Sequence, residues 1–448
     1  MAAGDDTGDG TGDGTGGGTE LLELEVGPVA GGGACVARAP DGKVVFVRHA
    51  LPGERVRATV TASASSFLRA DAVEVLTPSA DRVEPPCPHA GPGRCGGCDF
   101  QHVALGAQRR LKAARIAEQL ARLAGTERAV EVEAVAGDHD GLAWRSRVRL
   151  AVDEAGAVGF RRHRSHTLEL VEACPVASQA VTATGAFSTR WPGLSSVEVA
   201  TGTGPATGDG GAGGGGAEQA GEAVITVVPR GRAVPPLPDL PTGLVVRGQV
   251  RRPPGAVHAT VAGHTFRVSA GVFWQVHVGA AGALLGAVLG LAGDCRGAYV
   301  VDLYAGAGLF SVPLASVAGP DGSVLAVERD PRACADARHN GAGLGTLRVL
   351  RRAVGPDLVA GGIGHPDIVV LDPAREGAGT AVMGALGAHA ATLRRVVYVS
   401  CDPASFARDA RVLLDAGWGL TTLRAFDIFP MTEHVELVAA FEPSRLSP

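Results

Sequence analysis

The sequence lacks a long uninterrupted apolar stretch. The apolar run from Val278 to Leu291 is rich in Ala, Gly and Leu, but it is shorter than the roughly 20 residues that a membrane-spanning helix needs. The start of the chain also lacks a basic segment followed by an apolar core, which is the pattern of a secretory signal. We therefore expect a buried helix over this run, no membrane partner and a cytoplasmic location.

The sequence also has little net charge. Its formal charge is -5 over 448 residues, and four acidic residues lie in a Gly/Thr/Asp tract at the start: Asp5, Asp6, Asp9 and Asp13. Near neutrality neither predicts nor excludes a nucleic-acid partner, because phosphate binding depends on a local basic stripe. Alternation along a strand predicts such a stripe on one face, at Arg145, Arg147 and Arg149, followed after a turn by Arg161, Arg162 and Arg164.

Composition divides the chain into three regions with flexible additions. Residues 1–19 form a low-complexity tail and residues 201–222 a Gly-rich insertion, and both are predicted to be flexible. Short alternating runs over 20–79 predict a small all-β barrel of the oligonucleotide-binding (OB) type. Residues 80–260 predict an α+β middle region. Strands that alternate with helices over 261–448 predict an α/β domain with a doubly wound, Rossmann-like sheet.

The middle region opens with cysteines and one long helix. The helix is predicted from about Val103 to Ala124 and is closed by Gly125. Its basic residues face either phosphate or solvent, and the pattern does not choose between these: Arg109, Arg110, Lys112 and Arg115.

A glycine loop follows the first strand of the α/β region. The strand 299–303 leads into Tyr304-Ala305-Gly306-Ala307-Gly308, and a second strand ends at Glu328 about twenty residues later. A carboxylate at that place can accept hydrogen bonds from the hydroxyl groups of a ribose, which predicts a nucleoside ligand. The loop lacks the third glycine of the dinucleotide motif, so S-adenosylmethionine, a nucleoside without phosphate, fits better.

Four strands of this region end in a polar or reactive side chain: Asp302, Glu328, Asp372 and Cys401. The carboxyl edge of an open α/β sheet is where ligands bind, so these side chains are predicted to share one site. Cys401 also precedes a helix that begins near Ala404. The helix amino terminus is expected to lower the thiol pKa from about 8.5 and to favour the thiolate.

Four of the eight cysteines form a group: Cys87, Cys95, Cys98 and Cys174. Four thiolates with one CxxC pair suit either zinc or an iron-sulfur cluster, and spacing alone leaves both open. Cys35, Cys295 and Cys334 are most simply packing residues.

Two sets of motifs resemble known families. Gly31-Gly32-Gly33-Ala34-Cys35-Val36-Ala37, Val45-Phe46-Val47 and Leu51-Pro52-Gly53-Glu54-Arg55-Val56 resemble a TRAM domain, an RNA-binding barrel of RNA-modifying enzymes. The carboxy-terminal motifs resemble the uracil-5 RNA methyltransferases: Leu371-Asp372-Pro373-Ala374-Arg375-Glu376-Gly377, Tyr398-Val399-Ser400-Cys401-Asp402-Pro403 and Phe429-Pro430-Met431-Thr432-Glu433-His434-Val435-Glu436.

The resemblance implies an enzyme that methylates carbon 5 of a uridine in RNA with S-adenosylmethionine. It makes Cys401 the nucleophile and Glu436 the base, and it places Asp372 at the cofactor and target-base site. The residues that bind S-adenosylmethionine would be Gln275, Tyr304 and Glu328. Three positions depart from the family's usual pattern: His277, Leu309 and Ala374.

The cysteine group resembles the 4Fe-4S site of the same family. The resemblance makes Cys87, Cys95, Cys98 and Cys174 its ligands, although the seven residues between Cys87 and Cys95 exceed the family's usual gap. We expect this cluster to be structural. The combination of barrel and cluster favours 23S ribosomal RNA as the substrate, with transfer RNA as the alternative, and a monomer is expected.

Other classes of protein have less support. A non-catalytic RNA-binding protein with a degenerate methyltransferase fold would not need Cys401 and Glu436. A radical methylthiotransferase would need a CxxxCxxC triplet, which the sequence lacks. An amino-group methyltransferase would show Asn or Asp-Pro-Pro with an aromatic residue where this chain has Asp372-Pro373-Ala374-Arg375.

Overall fold

The computed structural model describes residues 21–203 and 222–444. The predicted tail 1–19 lies outside these residues, and so does the predicted insertion except for 201–203 and 222. Within the described ranges no helix has both the length and the apolar character needed to cross a membrane.

A five-stranded barrel forms the amino-terminal region. Its strands are β1 (Leu21–Glu25), β2 (Cys35–Arg38), β3 (Val44–Arg48), β4 (Arg55–Ser63) and β5 (Phe67–Thr77), hydrogen-bonded in the order β1-β4-β5-β3-β2. Alternate side chains such as Val45 and Val47 are buried in its core, as a strand with one inward face requires. The sheet curls round so that Gly27 N donates to Val36 O at 2.7 Å. The predicted barrel is confirmed.

A second sheet builds the middle region. The elements in chain order are α1 (Leu105–Gln119), β6 (Val132–Ala134), β7 (Arg147–Val152), β8 (Val158–Arg161), β9 (Leu168–Leu170), α2 (Gln179–Ala183), β10 (Leu194–Thr201), β11 (Ala223–Pro229), β12 (Gly243–Val246) and β13 (Gln249–Arg252). Seven strands pair in the order β13-β12-β11-β10-β7-β8-β9 over a core that includes Trp191. Helix α1 continues as a π-helical turn to Ala124 and stops at Gly125, whose φ is 67°. The predicted helix is therefore confirmed.

The carboxy-terminal region is an eight-stranded sheet preceded by a hairpin. The hairpin is β14 (Ala256–Val261) and β15 (His264–Ser269). The elements that follow are α3 (Ala280–Ala292), β16 (Tyr299–Leu303), α4 (Ser311–Ala318), β17 (Ser323–Glu328), α5 (Pro331–Asn340), β18 (Leu347–Arg351), β19 (Ile368–Leu371), α6 (Thr380–Gly387), β20 (Arg395–Ser400), α7 (Pro403–Asp415), β21 (Trp418–Asp427) and β22 (Glu436–Pro443). The strand order is β18-β17-β16-β19-β20-β22-β21-β6.

The sheet is covered on both faces. The first five strands in this order are parallel and β22 runs antiparallel between β20 and β21. Successive residues such as Val300 and Val301 enter different cores, one shared with α3 and α4 and the other with α6 and α7. A sheet buried on both faces reads as a continuous apolar run, which is the pattern in these strands. The Rossmann-like fold is confirmed.

One strand of this sheet comes from the middle of the sequence. β6 pairs in parallel with β21, with Val132 opposite Ala425. Ile116 of α1 is buried in the same core as Leu413 of α7. The segment from α1 to β6, which the sequence places in the middle region, therefore packs as part of the carboxy-terminal fold.

Candidate active site

Four neighbouring parallel strands end at one edge of the large sheet. β17, β16, β19 and β20 lie side by side in this order. Their carboxyl ends carry Glu328, Tyr304, Asp372 and Cys401. The sequence predicts Glu328, Asp372 and Cys401 at separate strand ends, and these are thus brought to one edge beside Tyr304. An open α/β sheet binds its ligand at this edge.

The glycine loop after β16 is fixed to the carboxylate of Glu328. Oε2 of Glu328 accepts a hydrogen bond from Gly306 N at 3.0 Å, and Oε1 accepts one from Asp330 N at 2.7 Å. Tyr304 and Gly306 both have left-handed backbone, with φ of 64° and 55°. Such a conformation is uncommon for a tyrosine, and strained backbone of this kind is concentrated at ligand-binding and active sites. The loop is therefore a preformed turn beside a ribose-binding type of carboxylate.

Two buried acids lie beneath the loop. Asp302 is fully buried and its Oδ2 accepts a hydrogen bond from the hydroxyl of Ser311. Burial raises the pKa of Asp302 to about 7 against the opposing effect of Ser311. Burial and the charge of Asp302 likewise raise the pKa of Asp372 to about 7. From the sequence, Asp302 is predicted only as a strand end, because the order of residues does not reveal Ser311 as its hydrogen-bond partner.

Cys401 and Glu436 are brought together by strand register. β20 and β22 are antiparallel neighbours in which Ser400 lies opposite Leu437. The next position along each strand therefore places Cys401 beside Glu436. Glu436 is buried, with 3% of its surface exposed. A thiol and a carboxyl group from two distant parts of the sequence share one pocket.

The local environment opposes the ionisation of both groups in the free protein. Burial, followed by the charges of Glu436 and Asp372, raises the pKa of the Cys401 thiol to about 12. Burial and then Asp372 raise the pKa of Glu436 well above its usual value. The sequence predicts a lowered pKa for Cys401, and this prediction is wrong for the protein without ligand.

The capping of α7 also weakens the helix effect that the sequence predicts for the Cys401 thiol. Its first N–H groups, those of Ala404 and Ser405, donate to Oδ1 of Asp402 at 3.1 and 2.8 Å. An Asp at the helix cap takes up the positive end of the helix dipole. This leaves little of the dipole to stabilise a thiolate at Cys401.

Gln275, the remaining predicted cofactor residue, does not lie at the end of one of these strands. It is buried in the segment between β15 and α3. Two residues further, the ring of His277 stacks on Trp144 with 5.7 Å between ring centroids, and its Nδ1 accepts from Gly279 N at 3.0 Å. His277, a departure from the family pattern, thus has a packing role.

One site-supporting residue escapes sequence reasoning. Oδ2 of Asp409 on α7 accepts hydrogen bonds from Tyr398 Oη at 2.6 Å and from Ala378 N at 2.8 Å. It thereby fixes the loop that follows Asp372. The only signal in the sequence is an acid on the apolar face of an amphipathic helix, which is costly to bury without partners.

The four predicted ligand cysteines surround one cavity. Cys87, Cys95, Cys98 and Cys174 all line it, and its volume is about 40 Å³. Burial raises the pKa of Cys98 to about 12, against a hydrogen bond from Gln101. No three Cys, His, Asp or Glu side chains in 21–203 and 222–444 are arranged to hold a metal ion. The thiols therefore share a cavity without forming a single-ion site. Cys35, Cys295 and Cys334 are buried.

Only some of the arginines in the predicted basic stripe are exposed at the surface. Nη1 of Arg147 donates to Val272 O at 2.6 Å and Nε of Arg145 donates to Arg147 O at 3.1 Å, whereas Arg149 is exposed. The turn after β8 leaves three arginines exposed, of which the second pairs with Glu169: Arg161, Arg162 and Arg164. On α1, protein carboxylates rather than phosphate engage Arg110, Lys112 and Arg115.

Comparisons with known proteins agree with this fold. Residues 20–73 match the TRAM domain family. An uncharacterised RNA methyltransferase of Streptomyces coelicolor is 44% identical over 95% of this chain and 93% of its own length. A 23S rRNA (uracil(1939)-C(5))-methyltransferase of Shewanella sp. is 31% identical over 90% of this chain and 92% of its own. The tRNA (uracil-54, C5)-methyltransferase of Pyrococcus abyssi, solved with S-adenosyl-L-homocysteine, has a TM-score of 0.68 at 20% identity and covers 94% of this chain and 100% of its own.

The fold and the relatives are those of an RNA methyltransferase. More specifically, the chain belongs to the RNA uracil-C5 methyltransferase family and is an RNA (uracil-5-)-methyltransferase with an amino-terminal TRAM domain.

Proposed function

We propose that the enzyme methylates carbon 5 of a uridine in 23S ribosomal RNA through a covalent adduct with Cys401. The thiolate of Cys401 adds to carbon 6 of the uracil, and the resulting enolate takes a methyl group at carbon 5. Glu436 then removes the proton from carbon 5, and the carbon-sulfur bond breaks to release thiolate and product. The observation that carries this proposal is the register that sets Cys401 beside Glu436.

The bound cofactor supplies the methyl group as a sulfonium. The residues that would hold it are Tyr304, Glu328 and Asp372, with Gln275 from the segment before α3. Glu328 already orders the glycine loop through Gly306 N, so the acceptor for a ribose hydroxyl is in place. The donor set suits a cationic nucleoside, because the edge carries the carboxylates of Glu328 and Asp372.

A positive charge at this edge also changes the protonation of the catalytic pair. Burial and neighbouring acids raise the pKa of both Cys401 and Glu436. An opposite charge nearby favours the ionised form of an acid. Cofactor binding is thus expected to favour the thiolate of Cys401 and the carboxylate of Glu436, which links activation to a complete site.

The RNA is proposed to lie across the barrel and the turn after β8. On the barrel, the guanidinium of Arg69 lies 5.8 Å from the ring centroid of Phe46 and 5.2 Å from that of Phe67. Burial and then the charge of Arg164 lower the pKa of Arg69, so the turn after β8 lies near this group. Aromatic rings interleaved with arginine form a stacking surface for unpaired bases.

Ribosomal RNA is favoured over transfer RNA as the substrate. The relative of Shewanella sp. that shares 31% identity is named for 23S rRNA, whereas the transfer-RNA enzyme shares the fold at 20% identity. This substrate places the enzyme in the cytoplasm, where we expect it to act as a monomer.

The cysteine cavity is proposed to hold a 4Fe-4S cluster. Four thiols from two separate segments line it, which supplies the full ligand number of such a cluster. A single zinc ion would need sulfur ligands at about 2.3 Å, and no such single-ion arrangement exists among the described residues. When present, the cluster would cross-link the loop of Cys87–Cys98 to the segment of Cys174.

Methyl transfer to defined RNAs tests the substrate. Purified protein with radiolabelled S-adenosylmethionine should label 23S ribosomal RNA at one uridine and leave transfer RNA unlabelled, with 5-methyluridine as the product. Cys401→Ala should abolish labelling while cofactor binding is retained. Labelling of transfer RNA alone would establish the alternative substrate, and labelling by Cys401→Ala would remove the covalent mechanism.

The adduct itself is tested by changing the base. Glu436→Gln should trap a protein-RNA complex that survives denaturing electrophoresis, because the methylated adduct retains its carbon 5 proton. A freely dissociating complex with normal turnover would contradict the role of Glu436.

A further inference from the structure

The segment that leads into Glu436 is held by residues from outside the carboxy-terminal sheet. Oε2 of Glu433 accepts hydrogen bonds from Gly32 N at 2.6 Å and from Gly33 N at 2.9 Å, both in the TRAM barrel. The same oxygen accepts one from Nη1 of Arg115 on α1 at 2.6 Å. A residue three positions before the base therefore joins the first and last parts of the chain.

A second set of contacts holds the same segment from the cysteine loop. Oδ2 of Asp99, the residue after Cys98, accepts from Glu433 N at 3.4 Å. Phe100 N donates to Met431 O at 2.9 Å. A Cβ atom at Gly33 would lie 2.5 Å from Cβ of Asp99, so the barrel and the cysteine loop are in close contact at this point.

The junction is buried and stiff. The side chains of Glu433 and Arg115 are 8% and 14% exposed. Met431 has a φ of 66°, and the hydroxyl of Thr432 donates to Phe429 O at 2.8 Å, which closes a tight turn. A displacement of Glu433 is therefore passed along the chain to Glu436 rather than absorbed by a loose loop.

We propose that Glu433 is a positioning residue through which the TRAM barrel and α1 hold Glu436 against Cys401. The barrel then contributes to proton removal from carbon 5 as well as to RNA affinity. This inference rests on the proposed role of Glu436 as the base.

The test separates the chemical step from RNA binding. Because proton removal follows methyl transfer, Glu433→Ala should leave methyl transfer itself unchanged. At saturating RNA and cofactor, it should lower the single-turnover rate at which free methylated RNA is released by about 10- to 100-fold, as expected for a misplaced catalytic group, with KM for RNA within about twofold. The variant should also accumulate the denaturation-resistant adduct, because proton removal becomes slow. Glu433→Gln keeps an acceptor for Gly32 and Gly33 and should recover most of the rate.

Matched variants control for general disturbance. Arg110→Ala removes an exposed pair with Asp81 on the same helix and should leave rate and adduct unchanged. Gly33→Ala and Gly32→Ala carry similar backbone strain, with φ of 66° and 78°, but only the former adds a clash, because nothing lies within 4 Å of a Cβ at Gly32. Gly33→Ala should therefore reproduce the effect of Glu433→Ala more strongly than Gly32→Ala, and it provides the test if Glu433→Ala does not fold.

Two results would overturn the inference. One is a raised KM for RNA with an unchanged single-turnover rate of product release in Glu433→Ala and Gly33→Ala, since the barrel would then serve RNA binding alone. The other is a slower rate without adduct, since the base would then not be the group affected. Failure of the proposed function gives a different result, namely that Cys401→Ala remains active.

Discussion

Cys401 and Glu436 lie in an environment that opposes the ionisation of both groups. Burial and neighbouring acids raise the pKa of each. A free thiolate would react with oxidants and electrophiles, so a protonated Cys401 is protected until the ligands arrive. The motif around Cys401 predicts its place at a strand end, but the sequence cannot show that Asp402 caps α7, because capping depends on the side-chain conformation.

The raised pKa of Cys401 predicts slow, pH-dependent alkylation of the free protein. Only the thiolate reacts with iodoacetamide, so the rate should rise about tenfold per pH unit from neutral pH upward, without a plateau below about pH 10. Mass spectrometry of the peptide that carries Cys401 measures this rate. A plateau near neutral pH would show that the thiol pKa is low.

Helix α1 is the element that ties the regions together. Nζ of Lys112 is buried and pairs with Oδ1 of Asp427 at 2.5 Å, at the end of β21. It also donates to Phe429 O at 3.1 Å. The limits of α1 could be predicted from apolar spacing and from Gly125. The partners of Lys112 and Arg115 could not, because tertiary packing brings together residues that are far apart in the sequence. The separation is 315 residues for Lys112 and Asp427 and 318 residues for Arg115 and Glu433.

Loss of the buried pair should destabilise the protein strongly. Lys112→Met leaves Asp427 buried without its partner, which costs about 3–5 kcal/mol in the free energy of unfolding. Chemical denaturation followed by fluorescence measures the change. Lys112→Met combined with Asp427→Asn should recover part of the loss, whereas Arg110→Ala should change stability by less than about 1 kcal/mol. Equal effects of Lys112→Met and Arg110→Ala would contradict the role of burial.

At the scale of the whole molecule, three regions meet at the segment that leads into Glu436. The sequence predicts the barrel, the Rossmann-like sheet and the residues at its carboxyl edge, because each depends on local periodicity and on strand ends. It does not predict that Gly32 and Gly33 reach Glu433, or that β6 completes the large sheet. Those contacts depend on how the folded regions dock against one another, and docking produces no periodic pattern in the sequence.

A cluster in the cysteine cavity should contribute to the stability of this assembly. Protein purified without oxygen should contain about four iron and four sulfide ions per chain. Cys98→Ser should lose most of them and lower the melting temperature, since ligand binding stabilises the folded state. Cys334→Ala, which changes a buried cysteine outside the cavity, should keep the iron. Stoichiometric zinc in place of iron would refute the cluster.

The position of β6 affects when the carboxy-terminal sheet can be completed during translation. Glu133 of β6 pairs with Arg424 of β21, 291 residues later. During translation the β6 segment leaves the ribosome long before β21 exists, so it remains an unpaired strand while the intervening sheet forms. The sheet can therefore be completed only after β21 has been made, and a separately expressed fragment without β6 would present an open sheet edge prone to aggregation.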